Sequence, residues 1–402
     1  MTAVLPSGFD ADAFLAEVDA LREKLDAGVD AGDARHLRAV EAVAVVASVT
    51  GWTAAFAGHW AVGAVGIALG RFVRWTCVAH HVLHRGYDAV PGLPEHRRSK
   101  GFARGWRRML DWPDWMFPAA WIREHNQLHH YRLGELDDPD LVEENARVLQ
   151  PSWAPLPLRA LFVFGVASSW RWLYFAPAAI REWQDHRAGH HDPPDRAVRM
   201  DSRMLLPVGP GANVWRLCYL PFAGVAFGAL PALGLVLGPE AAASALGASL
   251  LAEWIVNLHS YAVIVPNHAG DDLWRFDTRV RGRAELVLRQ IVGSVDFRTG
   301  GFLNDLLHGW LNYQIEHHVW PDLSMRQLVR AQPALRELCE RHGVPYAQEG
   351  VLARNRRLFW LMVGRDEMRR ADHALADVSS AGPGRSARGS RAAPDPRAAG
   401  AG

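Results

Sequence analysis

Residues 39–56, AVEAVAVVASVTGWTAAF, and residues 60–70, WAVGAVGIALG, are apolar stretches separated only by Ala57, Gly58 and His59. The second continues through Phe72, Val73 and Trp75. Runs this apolar call for a lipid environment, and so short a connection makes the two helices antiparallel neighbours, so the pair reads as a transmembrane hairpin. Residues 217–237, LCYLPFAGVAFGALPALGLVL, and 241–265, AAASALGASLLAEWIVNLHSYAVIV, form a second hairpin turned by Gly238, Pro239 and Glu240. The fold expected is all-α and membrane-integral: four transmembrane helices in two hairpins, with the long polar segments forming a helical cap.

Charge sets the expected orientation. Neither hairpin turn holds a Lys or Arg, whereas residues 1–37, the stretch from Arg71 to Arg216 and everything after Arg275 are rich in arginine. Basic segments stay cytoplasmic, so both termini and the cap belong on that side. Residues 1–37 are mixed and charged, unlike a cleavable signal peptide, and read as a cytoplasmic N-terminal segment. Residues 38–373 form the membrane domain. The Ala-, Gly-, Ser-, Pro- and Arg-rich stretch 374–402 has no periodicity and should be disordered.

Composition excludes other classes. A formal net charge of +1 argues against nucleic acid, which calls for a basic stripe. The three cysteines, Cys77, Cys218 and Cys339, are too dispersed for a disulfide framework or a zinc knuckle and suit a reducing compartment. Residues 156–181, LPLRALFVFGVASSWRWLYFAPAAIR, are long enough to span, but Arg159, Arg171, Trp170 and Trp172 would then lie at membrane depth. An interfacial helix is the favoured reading, and a fifth span the alternative. The Trp-rich segment from Trp106 to Trp121 reads as interfacial too.

Histidine carries the chemical signal. His80 and His84 are four residues apart on a helix, so their side chains leave one face about 5 to 6 Å apart, close enough to share a metal. His125 and His129 repeat that step. His130 turns about 100° away, towards a second metal or a bridging position. His317 and His318 repeat the adjacent pair, with Gln314 where a first histidine would stand. A single pair is more often surface or core than ligand, but three clusters on one face of a four-span protein favour metal. His186, His190 and His191 copy the second spacing within QDHRAGHHDPPD, a charged, proline-broken stretch expected to be a solvated loop.

The run from Asn304 to Tyr346, NDLLHGWLNYQIEHHVWPDLSMRQLVRAQPALRELCERHGVPY, resembles the third histidine box of the membrane fatty acid desaturases, in particular the front-end type whose box begins with Gln. EHNQLHH with LDDPDL downstream resembles the second box, and His80 with His84 the first. The resemblance runs from about Arg71 to Gly350. It implies a desaturase domain with two iron ions on the cytosolic side, held by His80, His84, His125, His129, His130, His317 and His318. His268, in VPNHAGDD, matches a further ligand that follows the fourth span. Gln314 would coordinate weakly, bind through water or orient a neighbour, while Asn257 and His259 are candidates for the outer layer around the ligands or for interhelical hydrogen bonds. The histidine common before the third box is Trp310 here, so His308 is not its equivalent.

The reaction implied is O₂-dependent insertion of a cis double bond into a lipid acyl chain carried on CoA, acyl carrier protein or a glycerolipid. Neither a haem-binding HPGG nor a GxGxxG occurs, so electrons should come from a separate donor of ferredoxin or cytochrome b5 type. A fatty acyl or alkane hydroxylase of the same histidine-box class is the alternative, and a non-enzymatic membrane scaffold a distant third.

Overall fold

A computed structural model describes residues 5–6, 8–190 and 201–371. The described residues are overwhelmingly helical, and their one sheet is a two-stranded parallel ladder of Trp274–Phe276 with Arg369–Ala371. Four helices are long and apolar enough to cross a bilayer. They are α2 (Ala31–Phe56), α3 (Trp60–Leu83), α7 (Gly209–Val236) and α8 (Pro239–His268), preceded by α1 (Ala11–Ala27). Val46, Val62, Val65, Leu235, Val236 and Leu250 point outward from them, half or more exposed. Apolar surface on that scale is what lipid covers.

The helices outrun their apolar stretches. Asp30 and Asp33 form a reciprocal cap that starts α2 at Ala31, so the helix runs unbroken across residue 38. The second turn is tighter than expected. Pro239 is already in the first turn of α8, where its missing N–H costs nothing, and only Gly238, at φ +122°, breaks the chain. Prolines 221 and 231 lie within α7, which accommodates them with wide π-type turns at Trp215–Tyr219 and Gly224–Ala229.

Small residues bring α2, α3 and α8 together. A Cβ on Gly51 would come 2.5 Å from the Ile67 amide nitrogen, and one on Gly66 2.7 Å from the Gly51 Cα, so the α2 and α3 backbones are in contact. On the other side of α3, Ala64, Ile67 and Ala68 pack with Ala245, Ala248 and Ala252 of α8. Without a hydrophobic drive between helices in lipid, close backbone approach of this kind supplies the association.

Residues 156–181 form no single helix. They divide into α5 (Leu156–Ala167) and the first part of α6 (171–187). Twelve residues rise about 18 Å, short of a hydrocarbon core of about 30 Å. Arg171 does not face outward, however. It is fully buried, 3.0 Å from Glu253 of α8 and also bonded to Asp114. The Trp-rich segment likewise departs from the interfacial expectation: Trp106 is 73% exposed, but Trp112, Trp115 and Trp121 are buried. Their indoles fill the core beneath the cap, because the segment turns inward before α4 (118–132).

The remaining elements used below are α9 (Arg283–Val292), α10 (Gln314–Val319), α11 (Met325–His342) and α12 (Val351–Met362). α1 lies along α11, with Phe14 fully buried and edge-on to His342. His186 and His190 are exposed, while His191 and residues 374–402 lie outside the described residues.

Candidate metal centre

Helix ends deliver the histidines. His80 and His84 close α3 just after a π-wound stretch, Val73–Ala79, and His268 is the last residue of α8. In α4 the π winding covers Ile122–His129. More residues per turn than the α-helix's 3.6 change the angular step. His130, one residue beyond His129, points between the other rings: its own lies 4.9 Å from His125, 4.4 Å from His84 and stacked at 4.2 Å on His318. α10 contributes His317 and His318, both buried.

The rings fall into two groups. His80, His84, His125 and His317 aim one nitrogen each into a common space, and so do His129, His268 and His318, with the atoms of each set within 4.8 Å of one another. His80 Nε2 and His317 Nε2 are 2.9 Å apart. His130 sits between the groups. Asp140 approaches His125 and His129 in a third arrangement.

Outer hydrogen bonds fix the rings. His129 Nδ1 donates to Asp138 Oδ1 at 2.9 Å, and Asp138 also accepts from the Gly134 and Asp140 amides. His318 Nδ1 donates to Gln290 Oε1 at 2.9 Å, and Gln290 in turn donates to the His130 carbonyl. Both arrangements turn Nε2 towards the centre. His268 Nδ1 faces the Gly293 carbonyl at 3.3 Å, while its Nε2 lies 2.7 Å from Gln314 Nε2. Gln314 Oε1 accepts from Asn267, so the Gln314 amide holds its NH₂ against His268. Beneath α10, the Tyr346 hydroxyl lies 2.5 Å from Asp296 and 2.8 Å from Glu316. Burial pushes Asp296 up to about 7 and Glu316 well above the carboxylate range.

Electrostatics keep the rings neutral. Burial, followed by crowding from neighbouring imidazoles, holds His125, His130, His317 and His318 well below the usual histidine range. Asp138 goes the other way: burial favours its acid form, but His129 and two backbone amides outweigh that and lower it. Neutral imidazole is the ligating form. Buried nitrogens with no hydrogen-bond partner include His84 Nε2, both of His125, both of His130 and His318 Nε2. A buried donor or acceptor left unsatisfied costs about 1–3 kcal/mol, and cations coordinated by these lone pairs would offset it. An all-imidazole set in two groups fits a pair of transition-metal ions.

Other residues are engaged elsewhere. Asn257 accepts from the Arg171 amide and donates to Glu253 one turn earlier in its own helix, and His259 Nε2 bonds the Leu307 carbonyl; the contacts with Arg171 and Leu307 join separate segments. His81 bonds the Gly309 carbonyl and His308 the Asn304 carbonyl. Trp310 is buried, edge-on to His36 at 4.9 Å. Sequence reasoning did not single out Trp121, stacked 4.7 Å from His125, nor assign roles to Asp138 and Gln290. Trp121 stands four residues before His125, and Asp138 lies within the quoted LDDPDL; Gln290 gave no local signal.

An apolar cavity opens from the histidines. His80, His125, His129, His268 and Gln314 line it, together with the apolar side chains of Trp75, Trp170, Phe175, Tyr261, Val166 and Met362. Such a slot suits a hydrocarbon chain.

Comparison with known proteins agrees with this geometry. The family model described as fatty acid desaturase matches residues 34–350. The chain belongs to the fatty acid desaturase family, and it is a membrane protein acting as a fatty acyl oxidoreductase. It is 27% identical over 357 residues to the NADPH-dependent stearoyl-CoA 9-desaturase of Mycobacterium tuberculosis, an alignment covering 84% of this chain and 75% of that one. Over 57 residues, 14% of this chain and 13% of the relative, it is 44% identical to a Delta(8)-fatty-acid desaturase of Euglena gracilis. An acyl-lipid (9-3)-desaturase of Physcomitrium patens is 33% identical over 84 residues, 21% of this chain and 15% of the relative.

Proposed function

We propose that this chain is an O₂-dependent acyl desaturase that converts –CH₂–CH₂– to a cis –CH=CH– within a lipid acyl chain. O₂, two electrons and two protons are consumed and two waters released. The observation that carries the reading is the pair of buried imidazole groups opening onto an apolar cavity. His80, His84, His125 and His317 would hold one iron and His129, His268 and His318 the other, with His130 between them. Iron bound there supplies the O₂ and one-electron chemistry that an unactivated C–H bond requires.

The protein's own part is positional. Asp138, Gln290 and the Gly293 carbonyl fix which nitrogen of His129, His318 and His268 points inward. The indole of Trp121 covers His125 and, with Trp75, excludes water where the acyl chain lies. The cavity sets which carbon reaches the centre. Gln314 acts on His268, and the electrons come from a separate ferredoxin- or cytochrome b5-type protein. The cytoplasmic orientation of the termini and site belongs to this same reading.

The test is expression with a reductase and donor, feeding of saturated and monounsaturated acyl substrates, and location of new double bonds by mass spectrometry. New cis double bonds are expected, lost in His129→Ala. Hydroxylated product, or unchanged lipids with a working donor, would overturn the proposal.

A further inference from the structure

Two arginines and two carboxylates are buried together beside the acyl cavity, in a part of the molecule the chemistry does not use. Glu253 of α8 receives Arg171 at 3.0 Å and Arg71 at 3.4 Å, and Arg171 also bonds Asp114. The group is neutral overall: two positive and two negative charges. Replacing buried ion pairs with packed apolar residues often leaves stability unchanged or improved, so stability alone does not account for this arrangement.

What the group touches is more telling. The Arg171 guanidinium lies over the Trp75 ring, 4.5 Å from its centroid. Trp75 stands five residues before His80, about one turn at π winding, and both line the cavity. The neighbouring Trp170 donates its indole N–H to the Asn257 carbonyl at 3.1 Å and packs on Trp75 at 5.7 Å. Asn257, through its own side chain, accepts from the Arg171 amide and donates to Glu253. Of the two indoles that line the cavity, Trp75 is thus backed directly by the charged cluster and Trp170 through Asn257, which is bonded to it.

We infer that Arg171 is a positioning residue: by pinning Trp75 and Trp170 it sets the register of the acyl chain against the histidines, and so which carbon is presented. The inference rests on the acyl-chain reading of the cavity. Lysine cannot reproduce the function, because it lacks the planar fork that meets Glu253 and Asp114 while stacking on an indole.

Two variants and two readouts test it. Arg171→Lys keeps the charge, and Trp170→Phe keeps a ring but removes the donor to Asn257. The first readout is the ratio of positional double-bond isomers formed in an expressing host. The second is photolabelling of purified protein by a fatty acyl probe carrying a diazirine at one mid-chain carbon, with labelled residues mapped by mass spectrometry; this requires no turnover. Both variants should raise the minor isomer roughly tenfold, equivalent to about 1.4 kcal/mol between competing registers, and spread the label along the cavity. Lower total product with an unchanged isomer ratio and unchanged labelling, in either variant that folds, would reduce Arg171 to a structural role and overturn the inference. Focused labelling of a wild-type protein that makes no double bond would overturn the proposed reaction while leaving the register argument to the variants' labelling. Absence of cavity labelling in the wild type would overturn both.

Discussion

Asp138 decides which nitrogen of His129 faces the centre. Its carboxylate, held low by His129 and two amides, accepts from Nδ1, so Nε2 alone remains for a metal. Asp138→Asn keeps the shape and loses the charge, and removal of such a support typically lowers metal affinity or activity about 10–100-fold. Iron content per purified protein and product yield, measured together, should both fall. Gln290→Leu should act in the same way on His318 while leaving the fold intact, which circular dichroism would check. These roles were only half legible. Spacing marks His80, His84, His125 and His129 because i, i+4 residues share a helical face. It does not show that His125 and His129 themselves join different groups, a division set by rings that other helices contribute. Gln290 reaches its ring from another helix, a contact no local pattern encodes.

At the level of helices, the seam between α2 and α3 is governed by glycine. With Gly51 and Gly66 in backbone contact, a side chain at either position must push the helices apart. Gly66→Val should cost about 1–3 kcal/mol from overpacking, seen as a lower melting temperature in detergent. It should also displace His80 and His84, which ride on α3, so bound iron should fall with it. Hydropathy revealed these helices because long apolar runs have few alternatives. It was less informative about residues 156–181, where Arg171 reads as an obstacle to burial until Asp114 and Glu253, 57 and 82 residues distant, are seen to neutralise it. The Trp-rich segment misled for a related reason: indole suits both a headgroup layer and a core, and only packing decides between them.

Across the whole molecule, the proposed ligands come from α3, α4, α8 and α10, so a bound metal would tie distant segments together. Anything that binds only the folded state stabilises it by mass action, about 2.7 kcal/mol at one hundred times the dissociation constant. Stripping iron with a chelator should therefore lower the melting temperature, and adding Fe²⁺ back should restore it. Phe14→Ala, in the α1 face packed on α11, should cost about 3–5 kcal/mol as a buried aromatic truncation. The small-residue seam bears also on how the chain is made. α2 and α3 meet through residues within one short stretch, so this hairpin can close while translation continues. α8 joins the other face of α3 only after some 170 further residues have left the ribosome. His317 and His318 follow later still. The membrane portion would thus assemble from its N-terminal end, and the proposed iron site would be completed last, when the histidine-bearing helices close over a hairpin already in place.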